Sequence, residues 1–474
     1  MTTALRTRLT LPALAAASSL IAIAAPAHAQ SVCTSTTSTT FTCTNGGVAG
    51  TVDSTATVGG TQGLVLTDTA ALNAALSGTL NSTSAAPTPT LTAIIPTSIS
   101  LTAGANGALN VNNTGTGPGV LLLSDGAINA TLGNLATVND YALVAQGSSA
   151  NVTTGSITAT ALNTADLSLP VGGGTLSAAA GAAVIGVTGD STVVVNGNVN
   201  VAGTADPLIG VVALAPSAAA STTVNGNVNV TSTGSAVGAA AVGSTGASTR
   251  VTGTTTVSGV ESTGVAAITA TGLASVNAGA VSATGADGTG IFAAGPNVSI
   301  TSGNITVNGV DSYGVQADAT GTLTATVGNV SATGAGSTGI ELNDATGPIT
   351  LTAGTISTTG NGATALRVNG GTGNVALTTG AISTNGTTSP AVVASTTTGN
   401  LSLTSGTVTT TGATSNGITL NSGSGNLTLN SGKVTATSRP LHVGGTLIVV
   451  QTELRNDEGK LVGQTTQTQI VLRS

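Results

Sequence analysis

Aromatic and charged side chains are scarce in this 474-residue chain. It holds no Trp, two Phe and two Tyr, and only 5% of its residues are charged. A wide globular interior is usually filled by large side chains, so this composition argues against one. The chain has nine Lys and Arg against sixteen Asp and Glu, so it lacks the positive charge that phosphate binding needs. We therefore expect no nucleic-acid partner.

Small and β-branched residues are abundant instead. There are 67 Gly, and most of the remainder is Ala, Val, Leu, Ile, Thr, Ser and Asn. Hydrophobic residues still make up 40% of the chain, which is unlike a disordered tail. Such a composition suits thin, stacked β-layers that bury a narrow core.

The N-terminus has the pattern of a cleavable secretory signal. A short basic stretch precedes an apolar run at 11–25, and Ala27-His28-Ala29 stands just before Gln30. The apolar run is shorter than the roughly 20 residues of a spanning helix, which favours cleavage over an uncleaved anchor. We predict a signal peptide over 1–29 and an exported chain with no membrane-spanning segment after cleavage.

One sequence pattern recurs along most of the chain. Its period of about 25 residues lies in the range of solenoid repeats. Its landmark is a Gly between two short alternating apolar segments, as in Val298-Ser-Ile-Thr-Ser-Gly303-Asn-Ile-Thr-Val307. Weaker copies upstream bring the number of landmarks to about fourteen. The clear landmarks recur at a nearly constant spacing, at Gly226, Gly253, Gly279, Gly303, Gly328, Gly354, Gly380, Gly406 and Gly432.

A third segment follows each landmark at a fixed distance. From Gly253 to Gly406, Gly or Ala stands 11 positions after the landmark and an apolar residue follows, as at Gly264-Val265. Apolar residues recur at every second position within the segments, which is strand periodicity. The repeat predicts an all-β parallel β-helix, a solenoid of about 14 coils with three short strands in each. Val, Ile, Leu and Ala are predicted to point inward, and Thr, Ser and Asn outward.

The repeat divides the chain into four parts: the signal peptide at 1–29, an N-terminal cap region at 30–97, β-helix repeats at 98–445, and a hairpin-like C-terminal cap at 446–474. The N-terminal cap holds the two cysteines, Cys33 and Cys43. In an exported chain this pair favours a local disulfide over two free thiols or a redox pair. Residues 68–76 are predicted to form a short capping helix.

Residues that carry chemistry are few. His442 is the one histidine left after signal removal, and no His and Cys cluster suits zinc, so we predict no enzyme, no catalytic residue and no cofactor. The best candidate site is an acidic row eight positions after three successive landmarks, formed by Glu261, Asp287 and Asp311. One interpretation is a weak cation site, and the other is a set of acidic turn residues that favour solubility.

Threonine recurs four and two positions before the landmark. Examples are Thr324 with Thr326 and Thr350 with Thr352, whereas Ala376 interrupts the series. A flat Thr ladder is how some β-solenoids match an ice surface, but Thr is also a common exposed strand residue. Ice binding is therefore a remote alternative function.

The leader, the Cys33 to Cys43 segment and the Ser, Thr, Gly and Asn-rich coil resemble passenger domains of bacterial autotransporter adhesins and related repeat-rich surface proteins. Near-identical phrases, such as Val-Asn-Gly-Asn-Val-Asn-Val at 195–201 and 224–230, are typical of that group. The resemblance covers residues 30 to about 445 and implies a right-handed coil, surface display and an adhesive or structural role. The short segment 446–474 follows the last coil in place of the family's long C-terminal barrel, so a truncated passenger and a separate outer-membrane translocator are both left open.

We therefore expect an exported, non-enzymatic, structural or adhesin-like protein at the cell surface, associated with the outer membrane or released outside the cell. Its ligand would be an unidentified surface or matrix molecule. The alternative is a β-helical glycan-binding or glycan-cleaving protein. Scarce aromatic and basic side chains speak against a sugar cleft.

Overall fold

A computed structural model describes residues 71–82, 89–104, 107–164, 167–171 and 174–432, together with strands at 40–41, 50–53, 56–58, 64–66, 434–435, 447–455 and 461–470. The signal peptide, Cys33, Cys43 and His442 lie outside the described residues. The chain divides into two compact units, Met1–Ser282 and Ala283–Ser474. The predicted parallel β-solenoid is confirmed, with about 13 turns against the 14 expected.

Unit 1 is built from three parallel sheets, and each coil adds a strand to each sheet. The first sheet precedes the landmark Gly, the second follows it, and the third comes after the next turn. The first sheet contains Gly50–Asp53, Leu72–Leu76, Ile99–Ala103, Ala150–Thr154, Ser191–Val195, Ala219–Val224, Gly246–Val251 and Leu273–Ala278. The second contains Ala56–Val58, Thr79–Ser82, Leu109–Asn113, Ile157–Leu162, Val199–Gly203, Val228–Ser232 and Thr255–Ser258. The third contains Leu64–Leu66, Leu91–Ile95, Val120–Ser124, Leu143–Gly147, Gly174–Gly186, Leu208–Ala215, Ala236–Gly243 and Thr263–Thr269.

Three strands of unit 1 depart from this scheme. Ile128–Val138 passes from the first sheet into the second. Two antiparallel pairs are added, Thr40–Phe41 with Gly50–Asp53 and Leu167–Val171 with the start of Gly174–Gly186. The second-sheet strand Val281–Thr284 spans the boundary between the units.

Unit 2 repeats the three-sheet coil. Two long strands, Thr289–Ser302 and Tyr313–Val327, run from the third sheet into the first. The third sheet continues with Thr338–Asp344, Thr364–Gly370, Val392–Thr396 and Ile418–Ser422, and the first with Ile349–Ala353, Val375–Thr379, Leu401–Ser405 and Leu427–Ser431. The second contains Ile305–Asn308, Val330–Thr333, Ile356–Thr359, Ile382–Asn385, Val408–Thr410 and Val434–Thr435. Leu447–Arg455 and Leu461–Ile470 form a separate antiparallel pair.

Stacked apolar side chains hold the coils together. In unit 2, Ile356 pairs with Ile382 and Ile382 with Val408, and all three are fully buried. Burying each such side chain stabilises the fold by about 1.5–3 kcal/mol. Because most coils place an apolar residue at each of these positions, the core is a set of stacked apolar ladders.

The prediction of a capping helix over 68–76 is wrong, because Leu72–Leu76 is a first-sheet strand that pairs in parallel with Ile99–Ala103. Leu76 is fully buried and Ala74 is 8% exposed, so alternate side chains enter the core as in the later coils. A run of Ala and Leu favours a helix in isolation, but the neighbouring strand offers a paired position, and tertiary context overrides the local preference. The parallel coil thus extends N-terminal of residue 98.

Within the described part of the chain, no helix has the length and apolar character needed to cross a membrane.

Candidate functional site

The predicted acidic row occupies one turn position of the repeat. The backbone is left-handed there, with φ of 51° at Glu261, 56° at Asp287 and 53° at Asp311. Later coils of unit 2 keep the same conformation with other residues at this position: Gly336, Gly362, Thr388 and Thr414. Asp and Gly tolerate left-handed backbone better than most residues. This tolerance accounts for the Asp and Gly residues of the series but not for Glu261, Thr388 and Thr414.

The Asp311 carboxylate lies over the next turn of unit 2. Its Oδ1 would stand 1.9 Å from a Cβ placed on Gly336, so Gly336 leaves room for it. The Asp311 amide donates to the Ala335 carbonyl at 2.8 Å, and the Gly336 amide donates to the Asn361 carbonyl at 2.9 Å. Among the residues that the structure describes, no group of three or more His, Cys, Asp or Glu is placed to hold a metal ion. The weak cation site stays a prediction.

A buried serine follows the left-handed residue in several coils, and the sequence analysis missed it. In unit 2 the Ser337 hydroxyl donates to the Gly309 carbonyl at 2.9 Å, and the Ser389 hydroxyl donates to the Gly360 carbonyl at 2.8 Å. The hydroxyl oxygen of Ser415 in turn accepts the Ser389 amide at 2.9 Å. These serines are at most 2% exposed, so each links the turns of successive coils from inside the corner. The sequence signal that could have revealed these serines is a Ser repeated directly after the left-handed turn residue.

The outer face of the third sheet in unit 1 is apolar, which contradicts the prediction of outward Thr, Ser and Asn. The row alternates with the inward ladder along each strand, and its members are at most 7% exposed. A sheet buried on both faces reads as continuous apolar sequence, and the run at 208–215 is such a signal. The paired members of the row are Leu121, Val144, Ala183, Val212, Ala240 and Ala266.

The equivalent position in unit 2 carries a row of different chemistry, which we call the polar row. It consists of Phe292, Gln316, Glu341 and Arg367, which pair in that order on adjacent strands. The neighbouring inward residues Val315, Ile340 and Leu366 are fully buried and form the core ladder. Because side chains alternate along a strand, the polar row projects from the outer face.

A second set of polar side chains flanks the polar row two positions further along each strand. Asp318, Asn343 and Asn369 pair in that order, and Asn369 is exposed. The Asn343 amide donates to Asp318 Oδ1 at 2.8 Å and to Glu341 Oε1 at 3.3 Å, and the Asn369 amide donates to Asn343 Oδ1 at 2.7 Å. These bonds fix the carboxylates of Asp318 and Glu341 side by side on neighbouring coils.

Three polar atoms of the polar row have no hydrogen-bond partner. They are Nε2 and Oε1 of Gln316 and Oε2 of Glu341. Gln316 is fully shielded from solvent, and Glu341 is 9% exposed. A buried polar atom without a partner costs about 1–3 kcal/mol. The polar row therefore holds unmet hydrogen-bonding capacity on a face that the structure shields from solvent.

The predicted threonine rows lie on the outer face of the first sheet in unit 2. Thr324 pairs with Thr350 and Thr326 with Thr352, and all four side chains are exposed. Thr352 continues to Thr378 and Thr404, whereas the other row passes through Ala376. The threonines form ladders across successive strands, and Ala376 interrupts one of them, as predicted.

A small recess in unit 1 contains the one strongly perturbed titratable group among the described residues. Burial, and then the neighbouring Asp140 charge, raise the pKa of the Tyr141 phenol above its ordinary value. The ring is 6% exposed. The recess is lined by Asn139, Asp140, Tyr141, Leu162, Thr164, Leu167, Ala179 and Ala180. The raised pKa affects stability only in alkaline solution, where a phenol in the unfolded chain would ionise.

Comparison with protein-family models, with curated proteins and with solved structures finds no match. The architecture and its side-chain rows therefore define the class of protein, a parallel β-solenoid with a core of small apolar ladders.

Proposed function

We propose that the chain is an exported, non-enzymatic β-solenoid of the cell surface with a structural or adhesin-like role. The main support is that successive coils repeat the same outward positions. This produces extended exposed rows, such as Thr326, Thr352, Thr378 and Thr404 in unit 2. An extended row suits contact with a long or repetitive partner, whereas a small-molecule site is usually an enclosed pocket.

The sequence supports export. The basic start, the apolar run at 11–25 and Ala27-His28-Ala29 are the parts of a cleavable leader. A chain with sixteen acidic and nine basic residues also suits a surface role that does not involve nucleic acid. The resemblance to autotransporter passengers favours display at the cell surface.

The test is attachment of native host cells to surfaces. Cells lacking the protein are compared with cells that regain the full chain, and we expect attachment to fall and then return. The matched control is the full chain with Ile21→Arg, which breaks the apolar run of the leader and should not restore attachment. Equal attachment with and without the protein would remove the adhesin-like role.

The exposed threonine rows favour ice binding as a second candidate. An exposed row of threonines stacks in register on the first sheet of unit 2: Thr326, Thr352, Thr378 and Thr404. Stacked strands about 4.8 Å apart give the threonines a regular spacing. Slowed ice-crystal growth at micromolar protein, lost in Thr352→Leu, would support this candidate, and unchanged growth would exclude it.

A further inference from the structure

Two second-sheet strands of unit 2 end in Asn, and Gly follows in both cases, as Asn308-Gly309 and Asn385-Gly386. The two strands between them end in Thr instead. An Asn carboxamide is open to attack by the backbone nitrogen of the next residue, and Gly has no Cβ to obstruct the approach. Deamidation is therefore a reaction that the chemistry of both pairs allows.

The two Asn side chains have matching surroundings. Both are exposed to solvent. Asn308 Oδ1 accepts a hydrogen bond from the Thr333 hydroxyl at 3.0 Å, and Asn385 Oδ1 accepts one from the Thr411 hydroxyl at 3.1 Å. A difference in reactivity between the two carboxamides would therefore come from the backbone that follows them.

The attacking backbone amide is held in one coil and free in the other. The Gly309 amide donates to the Thr333 carbonyl at 2.9 Å. Among the residues that the structure describes, the Gly386 amide has no acceptor, and in the next coil the Thr411 amide donates to the Thr384 carbonyl at 3.2 Å. A bound amide must lose its hydrogen bond before it can turn towards its own side chain, which slows the reaction.

We propose that Asn385 is a site of spontaneous deamidation and that Asn308 is protected from it. The Gly386 nitrogen bonds to Cγ of Asn385, the Cγ–Nδ2 bond breaks, and ammonia leaves with the amide proton. Water then opens the succinimide at either carbonyl, which yields aspartate or isoaspartate and adds one negative charge. In isoaspartate the main chain runs through the side-chain carbonyl, so the carbonyl that accepts the Gly360 amide at 2.8 Å leaves the main chain.

The test incubates the purified full chain in mildly alkaline buffer made with oxygen-labelled water. Ring opening takes its oxygen from the solvent, so peptide mass spectrometry reports the reaction at each Asn-Gly pair. We expect Asn385 to take up label roughly 3- to 10-fold faster than Asn308, the effect of one hydrogen bond on a rate. Isoaspartyl methyltransferase should methylate the peptide that contains residue 385.

Two controls separate the backbone effect from the sequence. Asn385→Thr, which introduces the residue of neighbouring coils, should fold as the wild type does and take up no label in that peptide. In denaturant the two pairs should react at nearly equal rates, because Gly follows both. The proposal is overturned if Asn308 reacts as fast as Asn385 in the folded chain. It is also overturned if Asn385 stays unlabelled in the folded chain while the denatured chain reacts. Neither result depends on surface display.

Discussion

Alanine at two equivalent turn glycines should have unequal effects, because Asp311 crowds one of them. Gly336 and Gly362 share the left-handed position in successive coils, both with φ of 72°. A Cβ at Gly362 would meet no atom closer than 4.0 Å, whereas a Cβ at Gly336 would lie 1.9 Å from Asp311 Oδ1. Comparing Gly336→Ala with Gly362→Ala therefore isolates the contact with the acidic row.

The expected losses of stability in the two variants follow from backbone strain at the turn and from displacement of the Asp311 side chain. Left-handed backbone costs an Ala about 1–2 kcal/mol, and reduced unfolded-state entropy returns about 0.5–1 kcal/mol, so Gly362→Ala should destabilise its turn by roughly 1 kcal/mol. Gly336→Ala must also push the Asp311 side chain off its rotamer, which adds about 0.5–1.5 kcal/mol. The expected total is about 2 kcal/mol.

Amide hydrogen exchange followed by mass spectrometry measures these local costs, because solenoid coils open in segments and global unfolding is not two-state. Exchange over 303–345 should accelerate about fivefold more in Gly336→Ala than exchange over the next coil does in Gly362→Ala. Asp311→Gly should remove this excess, as a double-mutant cycle requires. Equal costs at both glycines would contradict the crowding of Gly336 by Asp311. Slower exchange in CaCl₂ that depends on Asp311 would contradict it too.

Three further predictions concern the corner, the apolar face and the buried phenol. Ser389→Ala loses bonds to the carbonyls of Gly360 and Thr387, and should destabilise its turn by about 1–2 kcal/mol in the same exchange assay. Ala240→Asp puts a carboxylate on the buried outer face of unit 1 and should lower thermal stability sharply, whereas the same change at exposed Thr326 should not. Because the pKa of Tyr141 is raised in the folded chain, its full contribution to the free energy of unfolding should be present below about pH 10. Above that pH the contribution should fall, because the phenol ionises in the unfolded chain. Tyr141→Phe should abolish that fall, which chemical denaturation across this pH range would show.

The coil was predictable because its physical requirements repeat. A small apolar residue must enter each corner, and each position keeps its type along a ladder such as Ile356, Ile382 and Val408. The helix expected over 68–76 failed because composition there suits either state, and pairing with the next coil decides between them.

The candidate site was less predictable, because it depends on how deeply each side chain is buried and on which residues pair between neighbouring strands. Glu261, Asp287 and Asp311 attract attention as an acidic row, but their shared left-handed backbone is invisible in the sequence. Gln316 and Glu341 are separated by a full coil of sequence and come together only when the strands pair. Their unpartnered atoms are a property of packing, which no residue spacing reveals.

Protease treatment of intact host cells tests the central claim, surface display of the exported solenoid, most directly. Antibody raised against the purified chain follows its loss, and a periplasmic protein serves as the control for cell integrity. If the solenoid is displayed, protease should remove the chain from whole cells while the periplasmic control stays intact. Protection of the chain until the outer membrane is permeabilised would contradict it.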